Sequence, residues 1–86
     1  MPLTPDPSGD SRVESYLGVK FAMFDGKERV VCTASWEALQ DRAALDHADQ
    51  NDVDTTFKKY RAKIEAVASA HYDGGQANPV VRTGEF

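Results

Sequence analysis

Cys32, His47, His71 and the carboxylates Asp46, Asp49 and Asp52 are the side chains of this sequence whose chemistry could amount to an activity. A cysteine becomes a nucleophile when a base or positive charge draws it to the thiolate in an exposed setting. Cys32 instead stands inside the run ERVVCTA, on the side of a strand assigned to the core, where a thiol behaves as a small inert hydrophobe. His47 lies in the loop DHADQN with Asp46 and Asp49, and Asp52 follows. A calcium loop sets oxygen ligands at alternate positions around a glycine at the sixth, and that pattern is absent, so these residues read as solvated loop and cap. His71 falls on the apolar side of the last turn of a helix, where a partial positive charge suits the dipole and the role is structural.

GxGxxG, GxxxxGK and HExxH patterns are missing, and the carboxylates are scattered without a pair flanking an apolar pocket. A small single core also leaves little volume for a substrate cleft. The expectation is a protein that is not an enzyme, with no catalytic residue, no metal site and no cofactor.

Lys58, Lys59, Arg61 and Lys63 are interleaved with Phe57, Tyr60 and Ile64, the mixture that a nucleic-acid-binding helix would show. At about 100° per residue the apolar face centres between Tyr60 and Ile64. Arg61 and Lys63 then flank that face on either side, and Lys58 and Lys59 lie further round on opposite sides. The four cations form no single stripe along which a phosphate backbone could run. Asp54 precedes Lys58 by four and Glu65 follows Arg61 by four, so local partners are at hand. The stretch reads as a core helix with a solvated rim; contact with nucleic acid through Lys58, Lys59, Arg61 and Lys63 is the alternative reading.

The elements that carry these residues follow from periodicity and punctuation. Pro2, Pro5, Pro7, Ser8 and Gly9 predict a flexible tail over residues 1–10. Ser11–Leu17 shows no clear period. VKFAMF then alternates, with Val19, Phe21 and Met23 on one side, and Asp25-Gly26 signals a hairpin returning through ERVVCTA. A two-residue loop at Asp25-Gly26 sets Phe21 against Val30; a loop from Asp25 to Glu28 sets Phe21 against Cys32 and Met23 against Val30. Both registers keep the same side chains inward.

Ser35 is a helix N-cap with Glu37 in the first turn, and Trp36, Leu39 and Ala43 give a short amphipathic helix ending near Leu45. Asp52 caps a second helix whose apolar positions are Val53, Phe57, Tyr60, Ile64, Val67, Ala68 and His71. Gly74-Gly75 ends it. PVVRTGEF supplies a third strand beside the hairpin. The order ββααβ predicts an α+β domain over residues 11–86: an antiparallel three-stranded sheet covered on one face by two helices.

Eighty-six residues suit one small domain, and the formal net charge of −4 argues against a dedicated polyanion binder. One cysteine excludes an internal disulfide framework and a cysteine-rich zinc site. The first residues lack the basic start and apolar core of a secretory signal, and no run reaches the ~20 apolar residues of a membrane span. The expected address is the cytoplasm.

Ala62, Ala66 and Ala70, with Ser69 beside them, line the helix side opposite Phe57 and Ile64. Small side chains let another backbone approach closely, so this stripe, bordered by Lys59 and Lys63, is a candidate partner surface, either for an unidentified protein or for a weak homodimer. The sheet edge next to the C-terminal strand is the second candidate for self-association.

Val19-x-Phe21, Asp25-Gly26, Val30-x-Cys32, Ser35-x-x-Ala38-Leu39, Phe57…Arg61-x-x-Ile64-Glu65…Ala68 and Val81-Arg82-Thr83 together resemble the YrdB-like proteins, small bacterial chains grouped as a domain of unknown function. The likeness runs from about Ser11 to Phe86. It implies a compact α+β domain and brings no activity, ligand or catalytic residue.

Overall fold

The structure is a computed structural model and describes residues 3–86. The elements are β1 (Thr4–Pro5), β2 (Ser11–Glu14), β3 (Gly18–Asp25), β4 (Glu28–Ser35), α1 (Trp36–Leu45), α2 (Val53–Asp73) and β5 (Val80–Val81). The α+β class and the hairpin–helix–helix–strand order are as expected. The sheet is larger: it has five strands, β1 and β2 having been added along the free edge of β3.

Residues 1–10, expected as a flexible tail, depart from that reading over the part described; Met1 and Pro2 lie outside the described residues. Leu3 is buried, and its N–H donates to Ser69 Oγ at 2.9 Å. Thr4 and Pro5 pair with Phe24 and Met23, while Ser11 to Glu14 pair with Phe21 to Gly18. β1 and β2 are therefore two halves of one edge strand, interrupted opposite Ala22 by residues 6–10. Asp6 accepts the Ser8 N–H in a local turn, which holds its carboxyl below the usual range, and Arg61 donates to the Gly9 carbonyl at 2.7 Å.

The hairpin takes the second of the two registers, Phe21 opposite Cys32 and Met23 opposite Val30. Asp25 and Glu28 are themselves paired, so the turn is Gly26–Lys27 rather than Asp25-Gly26. Gly26 has φ +61° and Lys27 does not, which is the requirement of a II′ turn for glycine at the first central position.

The caps are those the sequence announces. Ser35 Oγ accepts the Ala38 N–H at 3.1 Å and Asp52 Oδ1 accepts the Thr55 N–H at 3.1 Å. Each helix ends in a Schellman pattern: Gln76 N–H reaches the His71 carbonyl past α2, and Ala48 N–H reaches that of Ala43 past α1. The left-handed position is Gly75 in the first case and His47, at φ +57°, in the second.

The closing strand differs in direction. β5 runs parallel to β4, pairing Thr33 with Val80 and Ala34 with Val81, where an antiparallel strand was expected. Both helices lie between β4 and β5, and a crossover of that length returns the chain in the same sense.

Val19, Phe21 and Met23 meet Val30 and Cys32 on one side of the sheet, with Leu39 from α1 and Phe57 and Ile64 from α2 above them. Phe21 and Phe57 touch ring to ring at 5.2 Å. Trp36, Tyr60 and Val67, expected in the core, sit at its margin, half-buried, and Leu3, Ala34, Val53, Ala68 and Val81 complete it. Gly18 is required where β3 begins: its φ is +132°, and an added Cβ would lie 1.9 Å from the Ala34 carbonyl oxygen. No helix among the described residues is long and apolar enough to cross a membrane.

Candidate binding face

Strand alternation divides the sheet. With Val19, Phe21 and Met23 turned to the helices, Lys20, Ala22 and Phe24 face the other way, and their register partners Thr33, Val31 and Arg29 face with them. β2 adds Arg12 opposite Lys20 and Glu14 opposite Gly18. Among the described residues no helix packs on this outer face.

Ala22 carries the shortest side chain there and is buried at 2 % exposure between longer neighbours. The result is a cleft of about 310 Å³ whose floor is Ala22 and Val31 and whose rim carries Asp10, Arg12, Glu14, Lys20 and Arg29. Lys20 Nζ lies 3.4 Å from Glu14 Oε2, and Arg12 Nε 3.9 Å from Glu14 Oε1. Exposed pairs of this kind are worth at most about 1 kcal/mol and open readily. Arg29 is exposed and forms no ion pair among the described residues. The arrangement suits a polar, mixed-charge ligand lying on an apolar floor.

A second depression, about 540 Å³, lies between the start of β4 and residues 75–78. Its Tyr72 hydroxyl already donates to Asp25 at 2.8 Å, and that bond to the phenol's proton holds the Tyr72 pKa above its ordinary value.

The residues singled out from sequence lie elsewhere, each with its own partner. Lys58 pairs with Asp54 at 3.0 Å and Lys59 with Asp46 at 3.1 Å. Arg61 pairs with Glu65 at 3.4 Å and lies over the Phe57 ring at 5.3 Å. Lys63 stands 5.9 Å from the centre of the Tyr60 ring. Lys59, at 5.4 Å, shares that ring with Lys63, whereas Lys58 and Arg61 bond to Asp54 and Glu65. Cys32 is fully buried, and desolvation, helped by the Glu65 charge, pushes its thiol up to about 11. His71 Nε2 meets Glu85 Oε2 at 2.6 Å, tying the last residues back onto α2. His47 terminates α1. Asp46 accepts from Tyr60 and Lys59, and those bonds hold its carboxyl below the ordinary range.

Ala62, Ala66 and Ala70 are exposed. Ala62 and Ala66, with Leu3, Pro5 and Ser69, wall an open depression of about 450 Å³. The chain's own N-terminal segment therefore lies along one margin of the stripe and uses part of the close approach that small side chains permit.

Sequence reasoning passed over Arg12, Glu14, Lys20, Ala22 and Arg29. Only a partial signal was present: Lys20, Arg29 and Thr33 alternate with core residues in VKFAMF and ERVVCTA, but Ala22, Phe24 and Val31 on the same face are apolar and hide it.

A family model described as "Protein of unknown function (DUF1488)" matches residues 8–82, from the interruption of the edge strand to the residue after β5. No curated protein and no solved structure matches the chain.

Proposed function

We propose that this chain, which belongs to the DUF1488 family, is a non-enzymatic binding module that holds a short polar segment of a protein partner on the outer face of its sheet. One observation carries the reading: the helices leave that face uncovered, and its cleft combines an apolar floor with separated charges of both signs. Sites that orient small ligands have this composition, and about 300 Å³ is the lower end of their range. The reactive side chains support it from the other direction, since Cys32 is buried and Asp46 and His71 are engaged in internal bonds.

The address we propose is the bacterial cytoplasm, in keeping with a free buried thiol and with the likeness to the YrdB-like proteins. The test is a photo-crosslinking residue placed at Val31, with a second at Lys58 as control. A discrete protein adduct formed in cells from Val31 and not from Lys58, and lost on Arg29→Glu, is the expected result. Adducts of equal yield from both positions would sink the proposal.

Nucleic-acid contact through Lys58, Lys59, Arg61 and Lys63 is the second reading. Phosphate contacts strengthen steeply at low salt. Binding of labelled DNA or RNA that is lost on Lys58→Ala and Lys63→Ala would favour it. Native mass spectrometry of protein taken directly from cells tests the enzyme reading through any small molecule or metal that remains attached.

A further inference from the structure

We propose that a second copy of this chain pairs with the first along β2, strand to strand, about a two-fold axis at Val13. The inference rests on the free edge of the sheet, whose Arg12 and Glu14 also stand on the rim of the outer cleft.

Hydrogen-bond directions come first. Thr33 N–H donates to Pro79 on the β5 side, so Thr33 and its register partner Lys20 do not bond to each other. Bonding alternates along an antiparallel pair, so Lys20 and Gly18 turn toward β2, where they meet Arg12 and Glu14. That leaves the N–H and C=O groups of Ser11 and Val13 directed away from the sheet, with no strand beyond them among the described residues.

Unpaired edges invite another strand, and proteins blunt them with proline or with charged side chains that a partner strand would leave unmatched. The β1 half of this edge is blunted, since Pro5 lies in it and Pro7 follows. The β2 half contains no proline, and its charges are of opposite sign two residues apart. Antiparallel pairing about Val13 sets Arg12 opposite the partner's Glu14, and Glu14 opposite the partner's Arg12. The edge is therefore complementary to itself. Arg12 is available for this, because its side chain is 81 % exposed and its contact to its own Glu14 is loose.

Apolar surface lies on the same stretch. Val13 is 44 % exposed, and Tyr16 and Leu17 in the following turn are 85 % and 60 % exposed. In the pair, Val13 meets the partner's Val13 as a hydrogen-bonded cross-strand pair, which removes both side chains from water. One two-fold contact uses up the β2 edge of both copies, so the assembly closes as a dimer and does not extend into a fibre.

Sedimentation over a concentration series tests the pairing, with circular dichroism verifying the fold of each variant. The wild type is expected to dimerise. Val13→Lys places like charges face to face at the axis, and Arg12→Glu and Glu14→Arg each do so beside it; each should weaken the dimer at least about tenfold. The double swap Arg12→Glu with Glu14→Arg should restore it, and it also keeps a carboxylate beside Lys20. Ala66→Arg should leave it unchanged. A wild-type monomer at every concentration overturns the proposal, as does a dimer broken by Ala66→Arg and untouched by Val13→Lys. Folded single charge variants whose double swap fails to dimerise overturn it too.

Discussion

The Tyr60 hydroxyl donates to Asp46 Oδ2 at 2.5 Å, tying the middle of α2 to the C-cap of α1. Arg42 lies over the other side of this joint, 4.5 Å from the Tyr60 ring centre, and Phe86 packs on the same ring. Tyr60→Phe keeps the ring and removes the bond, so the melting temperature should fall by a few degrees. The effect should depend on pH. Asp46 has a folded pKa below its ordinary 3.8, through the Tyr60 and Lys59 hydrogen bonds. Its stabilising contribution is fully present above 3.8 and is lost as pH falls through the depressed folded value. Thermal melts of both proteins should therefore differ at neutral pH and converge in acid.

Gly18→Ala should be the most damaging small substitution. A Cβ there would sit 1.9 Å from a backbone oxygen that belongs to the neighbouring strand, in a conformation at φ +132° that side chains avoid. A loss of more than about 2 kcal/mol is expected from backbone strain and clash together. Urea denaturation reads it directly; an unchanged midpoint would show that β3 and β4 are not in this close contact.

His47→Gly should act in the opposite sense. His47 holds the left-handed position after α1 that α2 gives to glycine. Relief of that strain should stabilise the domain by about 1 kcal/mol, on the order of 5 °C in melting temperature for a domain of this size. His47→Ala, which keeps a Cβ, should bring no such gain.

Cys32 should resist alkylation in the folded protein. It is fully buried and its thiol is pushed up to about 11, whereas an exposed thiol with a pKa near 8.5 reacts readily at mildly alkaline pH. Iodoacetamide labelling followed by mass spectrometry should give no adduct under native conditions and one adduct in denaturant. Rapid native labelling would place Cys32 outside the core.

What could be read from the residues alone was whatever depended on near neighbours. Ser35 and Asp52 cap their helices through bonds that span three residues, and the 4-and-3 spacing from Val53 to Ala68 draws one face of α2. The inward set Val19, Phe21, Met23 was legible because strand alternation survives a change of register. β1 and β2 were not legible: two and four residues are too few to show a period, and they owe their form to the edge of β3. The direction of β5 depends on the path of two helices, which no local pattern records. The outer cleft was hidden for the same reason, since it exists only where Ala22, Val31 and β2 are brought together.

The parallel seam between β4 and β5 also sets an order of assembly. The β3–β4 hairpin closes over a two-residue turn, whereas Thr33 reaches Val80 only after both helices have been placed. Contacts between distant residues form late, because the loop between them must be closed first. β5 is then a clasp fastened last and released first, and adjacent amides of one strand report on two different events. Cys32 N–H belongs to the hairpin ladder, while Thr33 N–H is held by Pro79 across the clasp at 2.9 Å. Native-state hydrogen exchange should show Thr33 exchanging through a partial opening and Cys32 only through global unfolding.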